Sequence, residues 1–163
     1  RGAGIGGEAV LQAGRALLAL GLPGEAVEHL RTSYRRIPGD QETRLAVATA
    51  YELSGDPQAA RSMFAHLPET APAEAWLMAG RLEIASGTPM EANRAKSAAA
   101  KLLRARSLGV QDPKLGYWLG RAFEESGDPD RAAEAYADYL RASPRDPQEM
   151  RFAALHRAAI LPR

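Results

Sequence analysis

The sequence predicts an all-α protein, a stack of helix–turn–helix hairpins. Apolar residues recur at helical spacing along most of the chain, with no alternating run of strand type. Glycine, aspartate and proline fall at the ends of these stretches, where helices start and stop. A small residue midway along every other helix returns at Gly14, Ala48, Gly80 and Gly120, at separations of 34, 32 and 40.

Residues 1–7, RGAGIGG, are expected to form a flexible glycine-rich lead-in. Gly2, Gly4 and Gly7 satisfy GxGxxG formally, but that fingerprint requires a preceding strand and a βαβ unit, and the pattern offers neither. The first helix is expected over 8–21 on Val10, Ala13, Gly14 and Leu17. The second carries Ala26, Val27, Leu30, Ser33 and Tyr34 and stops at Pro38. A second pair is expected over 41–54 and 57–67, joined by Gly55-Asp56-Pro57. A third runs over 73–86 and from 89 to about 108, with Thr88-Pro89 opening its second helix. The fourth pair, 112–144, is the clearest. Asp112 and Asp128 are expected N-caps, each followed by proline at the first helical position, where a missing N–H costs nothing. Gly127 supplies the left-handed residue after the first helix, and Pro144 stops the second. Asp146-Pro147 opens a last helix to about residue 160, with Met150, Ala153, Ala154, Leu155 and Ala158 apolar. Nine helices are expected.

Further residues recur in register with the small one. The fourth pair has Leu119-Gly120-x2-Phe123, Ala132-x3-Tyr136 and Pro144. The first has Ala13-Gly14-x2-Leu17, Ala26-x3-Leu30 and Pro38. The second has Val47-Ala48-x2-Tyr51, Ala60-x3-Phe64 and Pro72. The third has Trp76 and Ala79-Gly80, but Glu83 stands at the aromatic position, and the fourth has Gly116 where tryptophan is usual. With a period near 34 residues, this pattern resembles the tetratricopeptide repeat family. The resemblance implies a right-handed αα superhelix, a solenoid of four repeats (about 7–40, 41–72, 73–112 and 113–146) closed by a capping helix over 147–160. Residues 8–160 would then form a single domain. Small residues let paired helices approach, the large residue of the partner fills the space, and neighbouring hairpins stack because none buries its apolar side alone. The second helix of the third repeat is about six residues too long for the period. Either the helix is extended by nearly two turns, or an insertion lies near 90–97. Gly116 is expected to leave a gap facing that long helix.

Composition narrows the function. With 163 residues, 45% hydrophobic and 25% charged, the chain is long and apolar enough for a core. A net charge of +1 gives no bias toward nucleic acid or a membrane surface, and no stretch approaches the ~20 apolar residues of a membrane span. The absence of cysteine excludes disulfides and thiolate sites in either redox compartment, leaving cytoplasmic and bacterial periplasmic locations open. A start at Arg1 rather than methionine suggests an excised or processed chain. His29, His66 and His156 sit on different repeats without metal-ligand spacing, so neither metal nor cofactor is expected. No GxSxG or SxxK is present, and Glu124 and Glu125, adjacent on a helix, face different ways. No enzyme is expected.

The resemblance also implies a concave groove lined by the first helix of each repeat. Its inner stripe would comprise Leu11, Arg15 and Leu18, then Leu45, Thr49 and Glu52, then Leu77, Arg81 and Ile84, and last Tyr117, Arg121 and Glu124. Met78 and Trp118 would flank it. An apolar row, Leu11-Leu45-Leu77-Tyr117, would lie beside the mostly basic row Arg15-Thr49-Arg81-Arg121. Such a surface suits a peptide or protein segment with apolar anchors and acidic groups. Alternatively, the arginines pair internally with Glu52, Glu83 or Glu124. The single asparagine, Asn93, lies outside the first helices, so a clamp for a C-terminal carboxylate is not expected. The clusters Arg94, Lys96, Lys101, Arg104, Arg106 and Arg31, Arg35, Arg36 read as a solvated convex face, not a nucleic-acid site. The expected function is a non-catalytic protein-interaction scaffold. The alternative is a structural spacer in a longer array, such as a cell-envelope scaffold for polysaccharide export or assembly.

Overall fold

The computed structural model describes residues 3–37, 39–84, 91–142, 150, 153–155, 157 and 159, with side chains from residue 6 onward. Eight helices follow in order: α1 (Ala3–Ala19), α2 (Pro23–Arg36), α3 (Gln41–Leu53), α4 (Pro57–Ser62), α5 (Ala73–Ile84), α6 (Ala92–Ser107), α7 (Leu115–Glu125) and α8 (Pro129–Ala142). No strand occurs among the described residues. The expected signals at Pro38, Thr88-Pro89, Pro144 and Asp146-Pro147, with His156, Ala158 and much of the expected capping helix, lie outside them. The chain divides into two compact units, Arg1–Ala71 and Pro72–Arg163.

In the first unit, α1 pairs with α2, α2 packs on α3, and α3 pairs with α4. Leu11, Ala26, Val27, Leu30, Ala46, Val47 and Ala50 form its core. The lead-in differs from expectation: the backbone is helical from Ala3. Glycine content there serves close packing rather than freedom. A Cβ on Gly7 would lie 2.7 Å from Ile37 Cδ1, and the buried Ser33 hydroxyl donates to the Gly7 carbonyl at 2.9 Å. The α4 helix is also shorter than the expected 57–67. After Ser62 the chain tightens into i→i+3 bonds, Met63 to Ala60, Phe64 to Arg61 and Ala65 to Ser62. Pro68 then disfavours helical geometry at the residue before it. Phe64 is still brought inside, 2% exposed.

In the second unit, the hairpins α5/α6 and α7/α8 pack through α7, which contacts both α6 and α5. The core gathers Leu102, Leu115, Leu119, Phe123, Tyr136 and Tyr139 around Ala98, Ala122, Ala132 and Ala135. Each fully buried leucine contributes about 1.5–3 kcal/mol. Residues 153–155 are helical, Ala154 is buried in this core, and Met150 and Ala153 pack against it.

The paired helices meet as the sequence leads one to expect. An added Cβ would strike Leu30 at Gly14 (2.4 Å), Leu102 at Gly80 (2.6 Å) and Tyr136 at Gly120 (2.5 Å). The third repeat therefore has its own pair, Ala98 and Leu102, both wholly buried. From small residue to large partner is 16 residues in the first and fourth repeats but 22 in the third. The surplus thus lies ahead of Ala98. Part of it lengthens α6 by three residues before that anchor, compared with α8 before Ala132. A space of about 160 Å³ does lie at Gly116, bounded by Arg106 of the long α6 helix, by Leu115 and Leu119, and by Ala135 and Tyr139. Toward its own hairpin partner there is no room: a Cβ on Gly116 would lie 2.8 Å from the Tyr139 nitrogen and 2.9 Å from the Ala135 carbonyl, because the α8 backbone runs close there.

The turns follow one scheme. Gly21, Gly55, Gly109 and Gly127 all take positive φ. At Gly127 the amide donates to the Glu124 carbonyl and the Asp128 amide to that of Phe123. Gly55 and Asp56 do the same to Glu52 and Tyr51. Each aspartate then caps the next helix: Asp56 accepts from the Ala59 amide and Asp128 from that of Arg131. Asp112 departs from its expected role. The α7 helix opens at Leu115, and Asp112 instead accepts from the Lys114 amide at 2.8 Å in a turn preceding it.

Candidate protein-interaction faces

In the second unit, α5 and α7 lie in contact and carry seven of the expected groove residues with their stripe neighbour Ile84. Leu77 and Arg81, four apart, and Trp118 and Arg121, three apart, share a helix face within each pair and are half-buried. Arg121 lies 3.8 Å from Glu125 one turn along its own helix. Three others belong to the interior. Met78 and Tyr117 are each 9% exposed and Ile84 is 3%. Tyr117 packs edge-on against Trp118, with centroids 5.2 Å apart, and against Tyr139 at 5.6 Å.

In the first unit, Arg15 forms an ion pair with Glu42 at 2.5 Å, linking α1 to the first turn of α3. Leu45 is half-buried, and Thr49 Oγ1 donates to the Leu45 carbonyl at 2.9 Å. Leu11 is a core residue, 2% exposed. The expected apolar row is therefore corrected at both its ends, Leu11 and Tyr117.

Two models of the family described as tetratricopeptide repeat match the sequence, over residues 8–83 and 77–147. The chain belongs to the tetratricopeptide repeat family. Its fold class is accordingly the all-α tetratricopeptide solenoid. Among solved structures, it is similar to one described as the crystal structure of MamA protein. Identity is 21% and the TM-score 0.71, covering 94% of this chain and 88% of that one. Another, from the functional characterization of Pseudomonas aeruginosa PilF, gives 20% and 0.71, over 98% and 72%. Both likenesses concern the fold. No curated protein matches the sequence. Tetratricopeptide repeat proteins are in general non-catalytic scaffolds, and membership of the family makes a protein-interaction scaffold the general class of this chain.

Two polar clusters depart from the plain tetratricopeptide pattern. At the aromatic position of the third repeat, the Glu83 carboxylate accepts from Lys101 Nζ in an ion pair between α5 and α6, and the Arg94 guanidinium donates to the Glu83 carbonyl at 2.6 Å. In the fourth repeat, Glu124 Oε2 accepts from the Tyr136 hydroxyl at 2.8 Å and from the Arg157 guanidinium. Burial pushes the Tyr136 phenol up, and the bond to Glu124 and that carboxylate's charge push it further. Burial acts to lower Arg157, but Glu124 and Tyr136 outweigh it and hold its pKa above the usual value. Glu124, expected in the groove, is thus engaged by Tyr136 of α8 and by Arg157 beyond it. Sequence reasoning missed Lys101 and Arg157. A carboxylate at an aromatic position was the available signal for Lys101, since a half-buried charge requires a partner.

Of the basic clusters, Arg94 and Lys101 are drawn inward to Glu83, while Lys96, Arg104 and Arg106 are exposed. A cleft of about 640 Å³ lies between α6 and the α7–α8 turn, walled by Lys96, Ala100 and Leu103 on one side and Asp128, Asp130 and Arg131 on the other. Arg131 lies over the Phe123 ring at 4.1 Å. Among the described residues, no group of three His, Asp or Glu side chains could hold a metal ion, and no helix is long and apolar enough to cross a membrane.

Proposed function

We propose that this chain captures a peptide or protein segment on the α5–α7 face, with Leu77 and Trp118 as the apolar seats and Arg81 and Arg121 as the cations. The observation that carries this reading is the half-burial of these four residues on two helices in contact. A half-buried aromatic or arginine is already positioned by its own packing, so it loses little side-chain freedom on binding. Trp and Arg are also the residue types most enriched where binding energy concentrates. The matching ligand presents leucine-like side chains with glutamate or aspartate beside them, since arginine holds carboxylates through paired hydrogen bonds. Glu124 leaves the expected site because Tyr136 and Arg157 occupy its carboxylate. The first-unit candidates Arg15, Leu45 and Thr49 belong to the corresponding α1–α3 face.

The test uses short synthetic peptides interspersing leucine with acidic residues, with lysine-substituted versions as controls. Arg81→Glu with Arg121→Glu is expected to weaken binding at least roughly tenfold, about 1.4 kcal/mol, with unchanged far-UV circular dichroism. Equal affinity in wild type and double variant would exclude the α5–α7 face.

A further inference from the structure

We propose that the seam between α6 and α8 is a second docking groove, taking an amphipathic helix of a partner protein with an aromatic anchor, a basic flank and an acidic flank. The two helices do not pack on each other as a pair; α7 lies against both. Hollows of about 640, 70 and 160 Å³ follow one another along the seam, adjoining first at Phe123 and Arg131 and then at Arg106 and Asp138. The first reaches Lys96 and Asp130 near the starts of the helices, and the last reaches Arg106 and Ala142 near their ends. The helices therefore run the same way. From Lys96 to Arg106 the seam extends over about 15 Å at 1.5 Å per residue, between two and three turns of a bound helix.

The walls differ in charge, and this selects the occupant. On α6, Lys96 and Arg106 are exposed; on α8, Asp130, Glu134 and Asp138 stand four apart and form one exposed acidic row. Asp138 also holds Arg141 of its own helix, and Arg131, over the Phe123 ring, is offset by Asp128. Among the described residues, no ion pair crosses from α6 to α8, and Lys96, Arg106, Asp130 and Glu134 take part in none. The hollows hold these opposite charges apart above Ala99, Leu103 and Phe123. A segment of one sign would be repelled by one wall, and an uncharged one would leave both unpaired. Cations at i, i+4 and i+8 meet the α8 row, and carboxylates on the other flank meet Lys96 and Arg106. The anchor seat lies at Gly116, where this family usually has tryptophan. The hollow there, about 160 Å³, is bounded by Leu115, Leu119, Ala135 and Tyr139. An apolar cavity of about 150 Å³ accepts benzene, so a partner's aromatic ring fits where the chain's own is missing.

The seam lies between second helices and is independent of the α5–α7 proposal. Calorimetric titration of the full chain tests it with a synthetic helical peptide. The probe carries lysine at i, i+4 and i+8, glutamate on the opposite flank and tryptophan between them. One peptide is expected to bind per chain, and alanine in place of its tryptophan to weaken binding at least roughly tenfold. Glu134→Lys, at an exposed position, is expected to weaken binding with unchanged circular dichroism, and a peptide with its middle lysine changed to glutamate to restore it. Arg81→Glu with Arg121→Glu is expected to leave the affinity as in wild type. Absence of binding, indifference to the ring or to Glu134→Lys, or failure of the reversed peptide to restore binding overturns the proposal. So does loss of binding in the Arg81/Arg121 variant, which would assign the peptide to the α5–α7 face. A chain that doubles in mass without peptide, and no longer does so as Glu134→Lys, would assign the seam to a second copy instead.

Discussion

Gly116 stands where a tryptophan is usual, and the α8 backbone occupies the space a side chain would need. The obstacle there is the Tyr139 nitrogen and Ala135 carbonyl, neither of which turns aside like a side chain. At Gly14 the obstacle is the tip of Leu30, which has rotamers to use. Alanine ordinarily gains about 0.8–1 kcal/mol over glycine in a helix. Gly116→Ala is nevertheless expected to destabilise the chain, by about 1–3 kcal/mol, and by more than Gly14→Ala; urea unfolding midpoints measure both. At this scale the sequence was informative where a repeat position was filled as usual and incomplete where it was not. Gly116 pointed to a gap, and a space lies beside it toward Arg106 of α6, but a missing side chain says nothing about how far the paired backbone moves in on the other side. The absent aromatic at Glu83 likewise concealed its replacement, an ion pair with Lys101.

A single element depends strongly on how it begins. The α3 helix starts at Asp40, whose Oδ2 accepts from the Thr43 amide at 2.8 Å and the Thr43 hydroxyl at 2.5 Å. Burial would raise this carboxyl, but the hydrogen bonds from Thr43 and Glu42 and the nearby Arg15 charge outweigh it, so its pKa lies below the ordinary value. A lowered carboxyl contributes stability above the unfolded-state pKa and loses it as pH falls through the folded one. Asp40→Ala is therefore expected to cost about 1 kcal/mol at neutral pH, with the difference narrowing below about pH 4. Denaturant titrations at both pH values measure this. Helix boundaries were legible wherever Gly-Asp-Pro coincided, since one tripeptide supplies the left-handed residue, the cap and the first helical position. They were less legible at Asp112, whose side chain serves a turn two residues ahead of the helix, and at α4, where the apolar pattern outlasts the α-helical geometry.

Across the molecule, protection should follow these differences. The α4 helix spans six residues with one of them buried and continues into i→i+3 bonds. In hydrogen exchange, its amides are expected to exchange fastest among the eight helices, while those around Leu119, Tyr136 and Tyr139 exchange slowest. The fold class was readable because four repeats reinforce one another. The candidate site was readable only in part. Helical spacing assigns a residue to a face, but it cannot divide that face between core and solvent. Leu11 and Leu45 share one register, yet the first is sealed in the core and the second is half-open.

The displaced anchor in the third repeat has a wider consequence. Gly80 meets Leu102 as Gly14 meets Leu30 and Gly120 meets Tyr136, although the intervening chain is six residues longer. What the solenoid keeps in phase is the contact, not the count. Added sequence ahead of Ala98 shifts neither partner, whereas one residue inserted between Ala98 and Leu102 would rotate Leu102 by about 100°, one step of a helix with 3.6 residues per turn. The chain therefore holds two kinds of position: those where length is free to drift, and those where a single added residue throws the repeat out of phase.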